Sequence, residues 1–282
     1  MFFDIFKYTI PLDDWIALAV DWLVGNYRPF FQAIKMPIEW MLNGINDLLL
    51  WLPPEIVLII FLVAGWKAAG WKVGIFSFIA MAFIGFTGLW DETMTTLAMV
   101  ISAVFVDVLI GVPLGIVSSR SDRFEAVLRP VLDAMQTTPA FVYLVPVVML
   151  FSIGTVAGVI ATIIFSMPPI IRLTNLGIRQ VHPELIEATY SFGATQRQVL
   201  WKVQIPLALT TIMAGLNQTI MLSLSMVVIA SLIGAGGLGV PVFEGLNSLQ
   251  VGLAGIGGLG IVLMAMVLDR ITQALGSGKP QE

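Results

Sequence analysis

The sequence predicts an all-α polytopic membrane protein of about seven transmembrane helices, N-terminus outside and C-terminus in the cytoplasm. Three observations lead there. Of 282 residues, 58% are apolar and 11% are charged, against roughly 25% charged in an average soluble domain. Mean hydropathy is +0.94. The apolar residues fall in runs near the ~20 residues that a bilayer crossing requires. So few charges can neither cover a soluble globule of this size nor solvate a disordered chain. A net charge of −4 without a basic stripe argues against nucleic acid as a partner. The chain has no cysteine, which removes disulfides, thiolate metal sites and thiol nucleophiles. Its single histidine, His182, stands beside Pro183 and Glu184 as a solvated helix-start residue would. No catalytic residue, no metal site and no cofactor are expected.

Taken in order, residues 1–52 mix apolar positions with Asp13, Asp14, Asp21, Arg28, Lys35, Glu39 and Asp47, and Trp15, Trp22, Trp40 and Trp51 recur among them. This suits one or two amphipathic helices in the interface plane on the extracytoplasmic side; a poorly formed span at 15–25 is the alternative. The first residues hold Asp4, Lys7 and Pro11 and lack a basic start followed by an apolar run, so no cleavable signal peptide is expected. Residues 53–92 carry two peripheral spans, 55–70 (short unless it borrows 48–52) and 71–90. Residues 93–275 carry five more, at 94–117, 131–153, 155–171, 207–233 and 251–267, and 276–282 form a tail. The longest polar connection is 172–206.

Lysine and arginine set the orientation. One side holds Lys67, Lys72, Arg120, Arg123, Arg129, Arg172, Arg179, Arg197, Lys202, Arg270 and Lys279, eleven of the fourteen basic residues. Only Lys7, Arg28 and Lys35 lie on the other. The basic side, with the connection 172–206 and the C-terminus, is therefore cytoplasmic.

That connection contains the informative segment. His182-Pro183-Glu184 reads as a helix start, with proline in the first turn and an acid at the positive dipole end. Gly193 reads as a left-handed cap, 196–203 as a second short helix, and Pro206 as the opening of the next span. A surface helix held by spans at both ends suits docking into a groove of a soluble partner. Glu187, Ala188, Gly193, Val203, Ile205 and Pro206 fall at the spacing of the EAA signature, with Thr189 in place of its second alanine. The segment thus resembles the permease subunits of binding-protein-dependent ABC importers. In 136–146, 151–154, 167–172 and 233–239 the chain is similar to the glycine betaine, proline betaine and choline branch of that family.

The resemblance implies a permease core over 93–275 and a coupling helix whose ATPase-contacting residues are Glu187, Ala188, Thr189, Gly193, Ala194 and Pro206. It implies two permease copies forming the pathway, two ATP-binding subunits beneath, and an extracytoplasmic binding protein, in the bacterial plasma (inner) membrane. No Walker motif is present, so ATP hydrolysis is expected on a separate chain and this subunit is not an enzyme.

Candidate pathway residues come from polarity inside apolar runs. Asp107 lies mid-span, where an acid must face a cavity or a partner; a hydrogen bond to a neighbouring helix or a protonated carboxyl is the alternative. Gln136, Thr137 and Thr138 precede Pro139, and Pro146, Pro168 and Pro169 also interrupt apolar runs, as broken helices or as simple kinks. Met213, Asn217, Met221 and Ser225 recur every four residues and share one helix face, lining a path or contacting another helix. Gly252, Gly255, Gly257, Gly258 and Gly260 with Ala254 suggest close helix packing. A stand-alone secondary transporter or channel is the alternative function; it would call for paired broken helices and intramembrane ion ligands, and Asp107 alone offers little of that.

Overall fold

The structure is a computed structural model and describes residues 11–276. The start of the chain and nearly all of the 276–282 tail lie outside the described residues. Every regular element among the described residues is helical.

Helix α1 (Leu12–Trp51) runs 40 residues with Pro29 and Pro37 inside it, and its one non-helical residue, Tyr27, lies two before Pro29. α2 (Pro54–Ala69) follows after a 105° bend at Pro53-Pro54, and α3 (Trp71–Phe86) packs beside it. The bend corrects one expectation: residues 48–52 complete α1 and do not lengthen α2. The 71–90 run is also divided, because α3 ends at Phe86 and Trp90 already opens α4 (Trp90–Arg120).

Next come α5 (Asp122–Thr137), a 3₁₀ turn at Ala140–Tyr143 and α6 (Leu144–Phe151). The expected straight span at 131–153 is not there, since the chain turns by 107° between α5 and the turn leading to α6. The local cause is Thr138-Pro139. A residue before proline is pushed out of the α region, and Thr138 is extended at φ −71, ψ 126. α7 (Thr155–Arg179) by contrast runs unbroken through Pro168 and Pro169, and both are buried.

α8 (Pro183–Ser191) and α9 (Gln196–Val199) form the polar connection. α9 passes through a π turn at Leu200–Gln204 directly into α10 (Ile205–Ala230). The expected helix at 196–203 is therefore continuous with the next span. Proline inside a running helix presses on the carbonyl four residues back and leaves it without a donor. The widened turn just before Pro206, where the Ile205 N–H reaches the Leu200 carbonyl, takes up that misfit. α11 (Gly239–Asn247) and α12 (Val251–Gly276) complete the chain.

Four helices are long and apolar enough to cross a membrane: Trp90–Arg120, Thr155–Arg179, Gln196–Ile233 and Val251–Gly276. The bent pairs α1–α2 and α5–α6 bring the number to six if each is one span, and α3 is a shorter apolar helix.

The centre is α4, α7 and α10. α4 and α7 run parallel, with Gly111 against Ile170 and Gly115 against Thr174; α10 is antiparallel to α7, with Gly177 against Ala208 and Thr211, and Gly215 against Ile170 and Leu173. Lipid removes the hydrophobic drive for helices to associate, so close van der Waals packing has to hold them, and glycine allows it. Met99, Ala103, Ala157, Ala161, Val227 and Ala230 fill the layer between these helices. The second half of α1 rests on the same core through Leu42, Ile45 and Phe31, whose ring meets Phe151 edge-on at 5.6 Å. α2 and α3 pack separately on α12 and the start of α4.

The glycine stripe of α12 divides. Gly257 meets Val242 and Pro241, and Gly260 faces Leu238, as close packing requires. Among the described residues, nothing lies within 4 Å of a Cβ built on Gly252, Gly255 or Gly258.

Candidate coupling site

α8 has no buried residue. Leu185 and Tyr190 are exposed, and Phe192, just past its end, is 92% exposed. A helix with apolar side chains turned outward has no cause to hold that position within its own chain, and the exposed surface is available to another protein. Glu187 and Ala188 lie on this exposed helix, and Glu187 has no ion-pair partner among the described residues. The Thr189 hydroxyl donates to the Leu185 carbonyl at 2.6 Å, so the hydroxyl introduced in place of an alanine is satisfied inside the helix.

The end of α8 is fixed by Gly193 at φ +80. The Gly193 N–H donates to the Tyr190 carbonyl at 2.8 Å and the Ala194 N–H to the Thr189 carbonyl at 3.3 Å, the paired bonds of a Schellman cap. α9 then starts on a capping box: the Gln198 N–H donates to Thr195 Oγ1 at 3.4 Å, and the Thr195 N–H donates to Gln198 Oε1 at 2.7 Å. The Thr-x-x-Gln spacing was a readable signal for it. Bonds of this kind are local to the loop.

The pathway candidates do not meet in one place within the chain. Asp107 is fully buried between α4 and α7, where the Ser166 hydroxyl donates to its Oδ2 at 2.6 Å; Oδ1 has no hydrogen-bond partner. Gln136, Thr137, Thr138 and Pro139 sit at the α5–α6 bend, and all but the half-buried Thr138 are exposed. On α10, Asn217 Nδ2 donates to Asp269 Oδ1 of α12 at 3.0 Å and its carbonyl oxygen accepts from Thr272. Met213 lies against Gly276. Together with Thr210, Gln218, Thr272 and Gln273 they line a cavity of about 420 Å³, whose walls include neither Asp107 nor 136–139. Met221 packs against the central core, and the exposed Ser225 donates to the Met221 carbonyl. The lower half of the α10 face is thus a contact with α12.

Composition and spacing did not single out the arginines at the end of α7. Arg179 pairs with Asp122 at 2.8 Å and Glu125 at 2.9 Å, and Arg172 pairs with Asp133 at 2.6 Å. The readable signal was positional: 172, 175 and 179 share one helix face, as do 122, 125 and 133 roughly.

Residues 108–278 match the family described as binding-protein-dependent transport system inner membrane component. The chain belongs to this family. It is 54% identical over 270 residues to the glycine betaine/proline betaine transport system permease protein ProW of Escherichia coli (strain K12), covering 96% of this chain and 76% of that one. It is 46% identical over 264 residues, 94% of both chains, to the glycine betaine transport system permease protein OpuAB of Bacillus subtilis (strain 168). Among solved structures, an inward-facing conformation of the MetNI methionine ABC transporter matches with a TM-score of 0.56 at 23% identity, over 69% of this chain and 97% of that one, a likeness of fold. This permease is therefore a multi-pass inner-membrane component and not itself an ATPase, and membership implies ATPase and binding-protein partners.

Proposed function

We propose that this permease is the transmembrane subunit of an ATP-driven importer for quaternary ammonium osmolytes, of the glycine betaine and proline betaine class. The substrate class is supported by the named transport of its relatives at 54% and 46% identity. The coupling role rests on one observation above the others: α8 has no buried residue, turns Leu185 and Tyr190 outward, and is capped at both its end and its successor. In this reading two permease copies enclose the path and two ATPase subunits seat on α8. An outer binding protein delivers the osmolyte, and ATP-driven movement of α8 switches the spans between openings. The 136–139 bend and the upper part of the α10 face contribute polar lining, and Asp107, buried between α4 and α7 against Ser166, braces those helices behind it. Seven spans with the N-terminus outside complete the arrangement, residues 1–52 lying on the outer side.

Two expected results test it. Vesicles holding permease, ATPase and binding protein should take up labelled glycine betaine on addition of ATP, and should take up neither sugars nor simple neutral amino acids. Uptake of those and not of the quaternary amine overturns the substrate assignment; uptake of betaine without any ATPase overturns the importer in favour of a stand-alone carrier. A reporter active only in the cytoplasm should give signal when fused after Leu275 and none when inserted near Asp47. The reverse pattern would invert the orientation and place α8 on the wrong side for an ATPase.

A further inference from the structure

The coupling loop is tied at both flanks to a single corner of the molecule. On the near flank, Arg179 ends α7 shortly before α8 begins. Its guanidinium reaches Asp122 at 2.8 Å and Glu125 at 2.9 Å, both in the first turn of α5. It also donates to the Ser118 carbonyl at the end of α4 at 2.9 Å and to Asn175 Oδ1 at 2.9 Å, while Asn175 Nδ2 donates to Glu125 at 3.0 Å. On the far flank, Arg120 at the end of α4 donates to the carbonyl of Gln196, the first residue of α9, at 3.1 Å. Both ties end on 118–125, where α4 turns into α5.

The contact they bridge is unlike the rest of the core. α4, α7 and α10 meet through glycines at backbone distance and are closely packed together. Between α5 and α7 there is a cavity of about 250 Å³ walled by Leu128, Leu132, Ile171, Leu176 and the arginines. The arginine network spans that gap, with Arg172–Asp133 at its far end. α5 is held to the central body by Leu128, Leu132 and Met135, which join the apolar cluster around Ile170 and Ile171, and, beside the cavity, by these polar ties, and it leads straight to the 136–139 bend. A planar guanidinium with five donors can hold two carboxylates and a carbonyl at once; an ammonium cannot match that fork.

We infer that Arg179, assisted by Arg120, is a positioning residue that straps the coupling loop to the α4–α5 corner, so that displacement of α8 is passed to α5 and to the bend beyond it. The inference rests on reading α8 as the coupling helix. The carboxylates at the start of α5 also face its positive dipole end, so the strap closes on a corner where acids are already favoured. In this arrangement Arg179 touches neither substrate nor ATPase and acts through α5.

The test uses the complete transporter in vesicles and reads glycine betaine taken up per ATP hydrolysed. Arg179→Gln should bind ATPase subunits at the wild-type level and hydrolyse ATP, with uptake per ATP reduced at least about fivefold; Arg179→Lys should fall between. The chain has no native cysteine, so Arg179→Cys with Asp122→Cys offers a specific thiol pair. Uncross-linked, that pair should be uncoupled like Arg179→Gln, and a short bifunctional thiol reagent should restore uptake per ATP. Wild-type uptake per ATP in Arg179→Gln and in the open thiol pair overturns the strap. So does loss of bound ATPase in Arg179→Gln, which would make the residue an assembly contact, and so does a cross-link that fails to restore coupling. Should Arg179→Gln not reach the membrane, Arg179→Lys and the thiol pair give the same reading. Gly193→Asp measured alongside separates the two levels: normal uptake there overturns the coupling helix itself, whereas loss of uptake there with full coupling in Arg179→Gln overturns only the strap.

Discussion

Gly115→Val is expected to deplete the permease from the membrane by about tenfold or more. A Cβ at Gly115 would lie 2.6 Å from Thr174 Cβ and 2.8 Å from the Ile171 carbonyl oxygen. The second of these is backbone inside α7, which cannot turn aside as a flexible side chain would. α4 and α7 would have to separate along their whole parallel contact, and overpacking of this kind costs on the order of 3 kcal/mol. Lipid offers no compensating apolar burial, because an exposed helix face is as well solvated by acyl chains as by its neighbour. Gly44→Ala is the control: nothing lies within 4 Å of its built Cβ, and alanine is better than glycine inside a helix by about 0.5–1 kcal/mol. Quantifying both variants in isolated membranes checks the prediction, and equal levels would remove the claim that α4 and α7 are locked by backbone approach.

Gly193→Asp is expected to leave the membrane level within about twofold of wild type while uptake drops by at least about tenfold. The two parts have separate causes. Within the chain, a Cβ at Gly193 meets nothing within 4 Å, so the only internal penalty is the left-handed backbone, about 1 kcal/mol for a residue with a Cβ. That is too little to unfold the spans. Between chains, the new carboxylate would sit at the capped end of an exposed helix that the proposed ATPase contact would cover, where a charge without a partner costs several kcal/mol. Co-purification of ATPase with the variant should therefore weaken, or hydrolysis should proceed without uptake. Normal assembly together with normal uptake would end the assignment of α8 as the coupling helix.

The two glycines differ in how far they could be foreseen. Gly193 follows a helix started by Pro183 and Glu184 and falls on a known spacing, so its left-handed cap could be read from neighbours within ten residues. Gly115 is one of twenty-six glycines in a chain of apolar helices, and its partners lie more than fifty residues on. The same divide runs through the prolines. Pro139 accompanies a bend of 107°, whereas Pro168 and Pro169 stay in a continuous helix. Each removes a hydrogen bond and presses on the preceding residue. Pro168 and Pro169 are buried in the central helix layer, where packing keeps α7 continuous, while Pro139 stands exposed at the bend. The α10 face of Met213, Asn217, Met221 and Ser225 is a true helix face, yet its lower half turned out to be occupied by Asp269, Thr272 and Gly276 of α12.

Sequence alone thus determined what local chemistry controls: membrane residence from the length of apolar runs, and α8 from its start and cap. It also determined family membership, from a spacing confined to twenty residues. The tertiary structure decided how the spans divide at Pro53-Pro54 and Thr138-Pro139, which glycines meet a neighbour, and which acids hold Arg172 and Arg179. The physical reason is that a lipid-embedded helix is apolar on every side, so its hydropathy carries little periodic signal for which face meets which neighbour. The pairs that fix the arrangement join residues far apart in the chain, such as Arg120 with Gln196 and Ser118 with Arg179, separated by 76 and 61 positions.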